Sequence, residues 1–167
     1  MTTAELSQSL SSAIHDNYTL LKDLKDPSRA PQSGKWSPKQ IIGHLIDSAN
    51  NNHRRFVKAQ YQDHLIFLGY DQEEWVDVQN YQNTDWNELL EMWKTYNLFI
   101  CRVIENISEG KLNHLTTEHN YFEMGWGTSK SDCLLMKGQP SNLAFLIEDY
   151  IGHLEHHVSQ IKEMKTM

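Results

Sequence analysis

Four long stretches of this chain place apolar residues three and four positions apart, and that period points to helices rather than strands. The first runs through Leu6, Leu10, Ala13, Ile14, Tyr18, Leu21 and Leu24, with Thr2 and Glu5 spaced as a capping box and Asp26-Pro27 as a stop. The second begins with an unusually complete start signal, Trp36-Ser37-Pro38-Lys39-Gln40-Ile41. Ser37 can cap, Pro38 occupies the first turn, Gln40 closes the capping box, and Trp36 with Ile41 can form a hydrophobic staple, so a helix is predicted from about Pro38 to about Gln60. Trp86, Leu89, Leu90, Trp93, Tyr96, Ile100, Val103, Ile104 and Ile107 trace a third helix, with Gly110 beyond its end. Leu143, Leu146, Ile147, Tyr150, Leu154, Val158 and Ile161 trace a fourth, starting near Ser141 or Asn142. Four amphipathic helices on one core predict an all-α four-helix bundle of the up-down type, with long connections.

The segments between are less regular. YDQEEWVDVQNYQN predicts a short extra helix near residues 72 to 81, between the second and third long helices. Residues 109 to 140 hold four glycines and no sustained period, so they read as a long ordered loop, with room for a short hairpin. Its aromatics Tyr121, Phe122 and Trp126 either cover a pocket or anchor the loop.

At 167 residues the whole chain, 1-167, reads as a single domain with enough core to fold without staples. Its two cysteines, Cys101 and Cys133, form no C-x-x-C site or disulfide framework, which suits a reducing cytoplasm. The opening MTTAELSQSL lacks the pattern of an export signal, and no run of eighteen apolar residues occurs, so a cytoplasmic protein without membrane attachment is expected. A net charge of −7, from 15 basic and 22 acidic residues, opposes binding to nucleic acid or an anionic membrane. A small molecule is the more natural partner.

Histidines carry the chemistry. HLEHHVSQI places His153 and His157 four residues apart, which on a helix puts both imidazoles on one face. His156 lies to one side, at the rim of any site or supporting it from behind. A metal would want a third donor from a facing helix, and His44 in KQIIGHLIDSANNNHRRF supplies one. From His44 a polar line continues through Asp47, Ser48, Asn51 and Arg55, bordering an apolar face. His15, His53, His64, His114 and His119 have no comparable partner and read as surface or loop residues.

W-S-P-K-Q-I-I-G-H-L-I-D-S, followed about a hundred residues later by H-L-E-H-H-V-S-Q-I, resembles the DinB/YfiT-like family of metal-dependent enzymes, above all its YfiT branch. Arg55-Phe56 and the Tyr70-Asp71-x-x-x-Trp75 segment resemble that branch as well, whereas residues 109 to 140 match least. The resemblance implies a four-helix bundle in which His44, His153 and His157 hold one divalent transition metal. It also implies a homodimer. Neutral imidazoles suit zinc, nickel, copper or iron, with zinc and nickel foremost. Asp149 and Gln160, each one turn from a ligand, are placed to hold ring N–H groups or water.

Two chemistries come with the family. One is transfer of a low-molecular-weight thiol such as bacillithiol to an electrophile; the other is hydrolysis by metal-activated water. Hydrolysis calls for a general base, and Glu155 points away from the histidine line, leaving Asp47 or Asp149 as candidates. The weak case for a base tilts the expectation towards thiol transfer, with a metal-dependent hydrolase as the alternative and a non-catalytic metal-binding or sensing module as a third reading. Arg55, about three turns from His44, is too far to ligate the same ion but is a candidate to bind the carboxylate or phosphate end of a substrate.

Overall fold

Each long helix starts where a side chain can replace the missing backbone acceptors. In the computed structural model, which describes residues 1–124 and 138–165, Thr2 and Glu5 form a reciprocal capping box at the head of α1 (Thr3–Leu21). Ser37 and Gln40 do the same for α2 (Pro38–Ala59), with Pro38 in the first turn. Asp71 caps α3 (Gln72–Val78), Asp85 caps α4 (Trp86–Glu105), and Ser108 caps the single turn α5 (Glu109–Leu112). The last helix, α6 (Leu143–Lys165), begins where Asn142 Oδ1 accepts from the Phe145 amide at 3.0 Å.

The four-helix bundle is present, and the described residues contain no strand, only two isolated bridges. Its direction pattern differs from a simple up-down bundle. Thr3 bonds to Glu109 just past the end of α4, while Trp86 Nε1 at its start donates to the Leu21 carbonyl, so α1 and α4 are antiparallel. By contrast Ser37 reaches Gln82 and His53 reaches Tyr96, so α2 and α4 run parallel. Contacts of His44 with His157 and of Phe56 with Tyr150 make α2 and α6 antiparallel. α1 and α2 thus face each other across the core, each flanked by α4 and α6. Parallel neighbours cannot be joined by a tight turn, and the chain spends residues 60–85 returning from the end of α2 to the start of α4.

That return covers the outer side of α2. The expected short helix is there as α3, but Asn80 in the left-handed conformation (φ 55°) ends it and leads into a separate 3-10 turn at Tyr81–Asn83. With α4, α6 and this cover packed around it, α2 has every residue from 41 to 49 buried, including His44, Asp47 and Ser48.

The expected loop over 109 to 140 starts later, because its first four residues are α5, capped by the Ser108 hydroxyl. Beyond it the chain is held by an antiparallel pair of bonds between Thr116 and Ser141, both 2.9 Å, and by a parallel bridge from Leu65 to His119. Tyr121 is an anchor, fully buried and stacked on Phe145, whereas Phe122 is half exposed. Trp126 and Cys133 lie outside the described residues. No helix among the described residues is long and apolar enough to cross a membrane.

Candidate metal centre

His44 enters the core two turns into α2, and His153 and His157 meet it from consecutive turns of α6. His44 Nε2 stands 3.2 Å from His153 Nε2, and one ring nitrogen from each of the three residues lies within 4.8 Å of the others. Two nitrogens bound to one tetrahedral zinc at about 2.0–2.1 Å would stand roughly 3.3 Å apart, so the pair is already at ligand spacing. Among the described residues this is the one such group of three.

The protonation states suit donors. Burial, followed by repulsion from His157, pushes His44 down from 6.5 to about 3. Burial and the neighbouring imidazoles push His153 down to about 2. His157 is lowered by burial too, with Gln160 opposing the shift. All three rings are therefore neutral at neutral pH, each with a lone pair to offer.

Supporting contacts fix these rings. Gln160 Oε1 lies 2.9 Å from His157 Nδ1, an acceptor that places the proton on Nδ1 and leaves Nε2 for a ligand. The same carboxamide reaches His156 at 3.2 Å, and His156 is exposed, so it sits at the rim. The Trp36 ring lies 5.1 Å from that of His44, which places this residue of the helix-start pattern beside the site. His44 Nδ1 is buried without a hydrogen-bond partner among the described residues. His53 stays apart, packed edge-on against Tyr96 and Phe99.

Asp47 is buried one turn after His44. Its Oδ1 accepts from Gln79 Nε2 at 2.6 Å and from the Tyr81 hydroxyl at 2.7 Å. Oδ2 is buried with no partner among the described residues. Burial raises the carboxyl pKa, against those two donors. Asp149 is half-buried on α6, one turn before His153. Among the described residues Asp47 makes no hydrogen bond to any of the three imidazoles. Arg55 is buried eleven residues along α2 from His44, roughly 16 Å at ~1.5 Å per residue. Its Nη1 donates to Asn52 Oδ1 at 3.2 Å and its Nη2 to the Leu68 carbonyl at 3.1 Å.

Sequence reasoning did not find Gln79 or Tyr81. A signal existed in Gly43. The Tyr81 ring crosses α2 there so closely that a Cβ on residue 43 would fall 2.1 Å from Tyr81 Cδ2. A cavity of about 550 Å³ opens beside His157, walled by Trp36, Ile41, Gln72, Glu73, Gln160 and Met164 among others. It gives a small molecule access to His157.

These features define a class, a helical bundle with a three-histidine cluster on facing helices. The chain belongs to the DinB superfamily, whose sequence pattern matches residues 10–161. A Bacillus licheniformis protein named "Putative metal-dependent hydrolase" is 22% identical over 131 residues, 78% of this chain and 65% of that protein. An Oceanobacillus iheyensis protein of the same name is 34% identical over 50 residues, 30% of this chain and 29% of that protein. The chain thus matches less than two thirds of the length of either relative. Among solved structures, YfiT from Bacillus subtilis, described as a probable metal-dependent hydrolase with an unusual four-helix bundle topology, superposes with a TM-score of 0.76 at 16% identity, covering 98% of this chain and 86% of that one.

Proposed function

We propose that the protein is a metal-dependent enzyme acting on a small molecule, with His44, His153 and His157 holding one divalent transition metal, zinc or nickel foremost. The observation that carries this is the meeting of three neutral imidazoles from two helices beside an open cavity. Three neutral donors, with no fourth protein ligand among the described residues, are the pattern of a catalytic rather than a closed structural site. Bound there, the ion supplies Lewis acidity that brings the pKa of a coordinated water or thiol down towards neutrality.

Hydrolysis is the reading the site favours. Asp47 is a buried carboxylate of raised pKa one turn from His44, with one oxygen fixed by Tyr81 and Gln79 and the other unpartnered among the described residues. A carboxylate held in that way suits a general base, which takes the proton of the attacking water. Gln160 holds His157 in the tautomer that binds, and Trp36 with Ile41 gives the cavity an apolar side. The names of the two curated relatives agree with this reading.

Thiol transfer is the second reading, and one observation favours it. Asp47 makes no hydrogen bond to the imidazoles, and a thiol deprotonated by coordination needs no base from the chain. Neither cysteine is required: Cys101 is buried, with its thiol pushed up to about 11 mainly by burial. Incubating metal-loaded protein with bacterial thiols and monochlorobimane, and in parallel with chromogenic esters and amides, separates the two. Acid release without thiol consumption, abolished by His44→Ala and cut about a hundredfold by Asp47→Asn, supports hydrolysis. Metal-dependent conjugation insensitive to Asp47→Asn replaces it with transfer. A homodimer remains part of this proposal by family likeness, with sedimentation velocity as its test, and a cytoplasmic location remains part of it from the cysteine pattern.

A further inference from the structure

A second cavity, of about 240 Å³, shares no lining residue with the one beside His157. It lies between the C-terminal half of α2 and the segment leading into α3, and among the described residues its wall holds Arg54, Arg55 and Lys58 and no carboxylate. In a chain with 22 acidic and 15 basic residues that is an unusual selection. Arg54 and Lys58 stand four apart on one helical face, where like charges repel. The two ion pairs among the described residues, Lys94 with Glu91 and Lys111 with Asp63, involve neither of them. The α2 dipole accounts for Lys58, in the last turn, but not for Arg54 a turn earlier.

The rest of the wall is built rather than incidental. Arg55 is buried and fixed by its bonds to Asn52 and to the Leu68 carbonyl, so its guanidinium is held at the cavity without the freedom of a surface side chain. Tyr70 and Trp75 pack at 4.9 Å between ring centroids and add an aromatic side, with Trp75 partly exposed. Guanidinium groups pair with carboxylates and phosphates through directed N–H donors, and aromatic rings take apolar or planar groups against their faces. The volume falls below the ~300–1,000 Å³ of drug-sized pockets, which suits a small ligand or one end of a larger one.

We propose that this cavity is an anion-binding site, separate from the histidine cluster, which takes a small molecule carrying a carboxylate or phosphate on an apolar or aromatic body. The site stands independently of the metal chemistry.

The test is a titration of chelator-treated full-length protein with inorganic phosphate, phenyl phosphate and benzoate, followed by the amide signal of Gly69 and the indole signal of Trp75 in two-dimensional NMR. Saturable shifts at those two positions are expected, with phenyl phosphate or benzoate binding at least about tenfold tighter than inorganic phosphate. Whichever of the two is tighter tells phosphate from carboxylate. The exposed double variant Arg54→Gln/Lys58→Gln should keep its melting temperature and weaken binding at least about tenfold, because charge-assisted bonds are lost. His44→Ala should bind the anion as the wild type does, which separates this site from the metal centre. No saturation up to about 10 mM, or equal affinity in the double variant, overturns the site. Affinity for inorganic phosphate equal to that for both aromatic ligands overturns the role of the aromatic wall.

Discussion

Gly43 stands one residue before His44 because the Tyr81 ring needs the space where a side chain would be. By helix propensity alone, alanine there would stabilise the protein by about 1 kcal/mol. The structure predicts the reverse. Gly43→Ala displaces Tyr81, takes a donor from Asp47, and should cost about 1–3 kcal/mol in urea denaturation; a neutral or stabilising result would contradict the packing described. Tyr81→Phe is milder, keeping the ring and deleting the hydroxyl. The Asp47 carboxylate then loses one of its two donors, at a cost of about 1–2 kcal/mol while it is ionised. Because the lost bond stabilised the charged form, the cost should shrink as the pH falls and the carboxyl takes up a proton. Comparing urea midpoints at pH 8 and pH 5 checks the direction. These contacts were not legible in the sequence, since Asp47 and Tyr81 are 34 positions apart and belong to no local pattern.

The start of α2 was legible almost atom by atom, because capping is decided by residues three apart. Ser37 Oγ accepts from the Gln40 amide at 3.3 Å, and the Ser37 amide donates to Gln40 Oε1 at 3.0 Å. Ser37 Oγ also donates to Gln82 Oε1 at 2.6 Å, which ties the helix start to the 3-10 turn and could not be foreseen. Ser37→Ala should therefore cost about 1–2 kcal/mol, at the upper end for a cap. His44 lies two turns into α2 and within a fully buried stretch, so the same variant should weaken metal binding less than about tenfold. Competition with a chromogenic chelator measures that. His153 and His157 were legible because four residues is one helical turn. His44 was legible because a polar line met an apolar face. The parallel run of α2 and α4 was not, because direction is set by how a long connection returns over the core. Nor was α5, too short to show a period.

The bundle has a continuous apolar core, including Leu6, Leu10, Ile14, Phe56, Trp93, Ile100 and Leu154, all essentially inaccessible. A protein with such a core should stay folded when a chelator removes the metal, unlike small domains that need the ion to fold. Its stability without metal should depend on pH in a particular direction. His44 and His153 stay neutral in the fold down to about 3 and about 2, but titrate near 6.5 in the unfolded chain. As pH falls below about 6.5 the unfolded chain binds protons that the fold refuses, so stability falls, by at most about 1.4 kcal/mol per pH unit for each group. Urea denaturation of chelator-treated protein between pH 7.5 and 5 should show that slope, flattened in His44→Ala/His153→Ala. A wild-type profile without it would contradict the buried, neutral state of the imidazoles.

Binding of one ion by His44, His153 and His157 together is open to direct measurement. Elemental analysis of protein purified without a histidine tag, wild type beside His153→Ala, reads it, with circular dichroism confirming that both are folded. Close to one equivalent of zinc or nickel is expected per wild-type chain and almost none in the variant. A folded wild type that carries only traces of metal and takes up none on incubation, or a variant that retains its full equivalent, would contradict it.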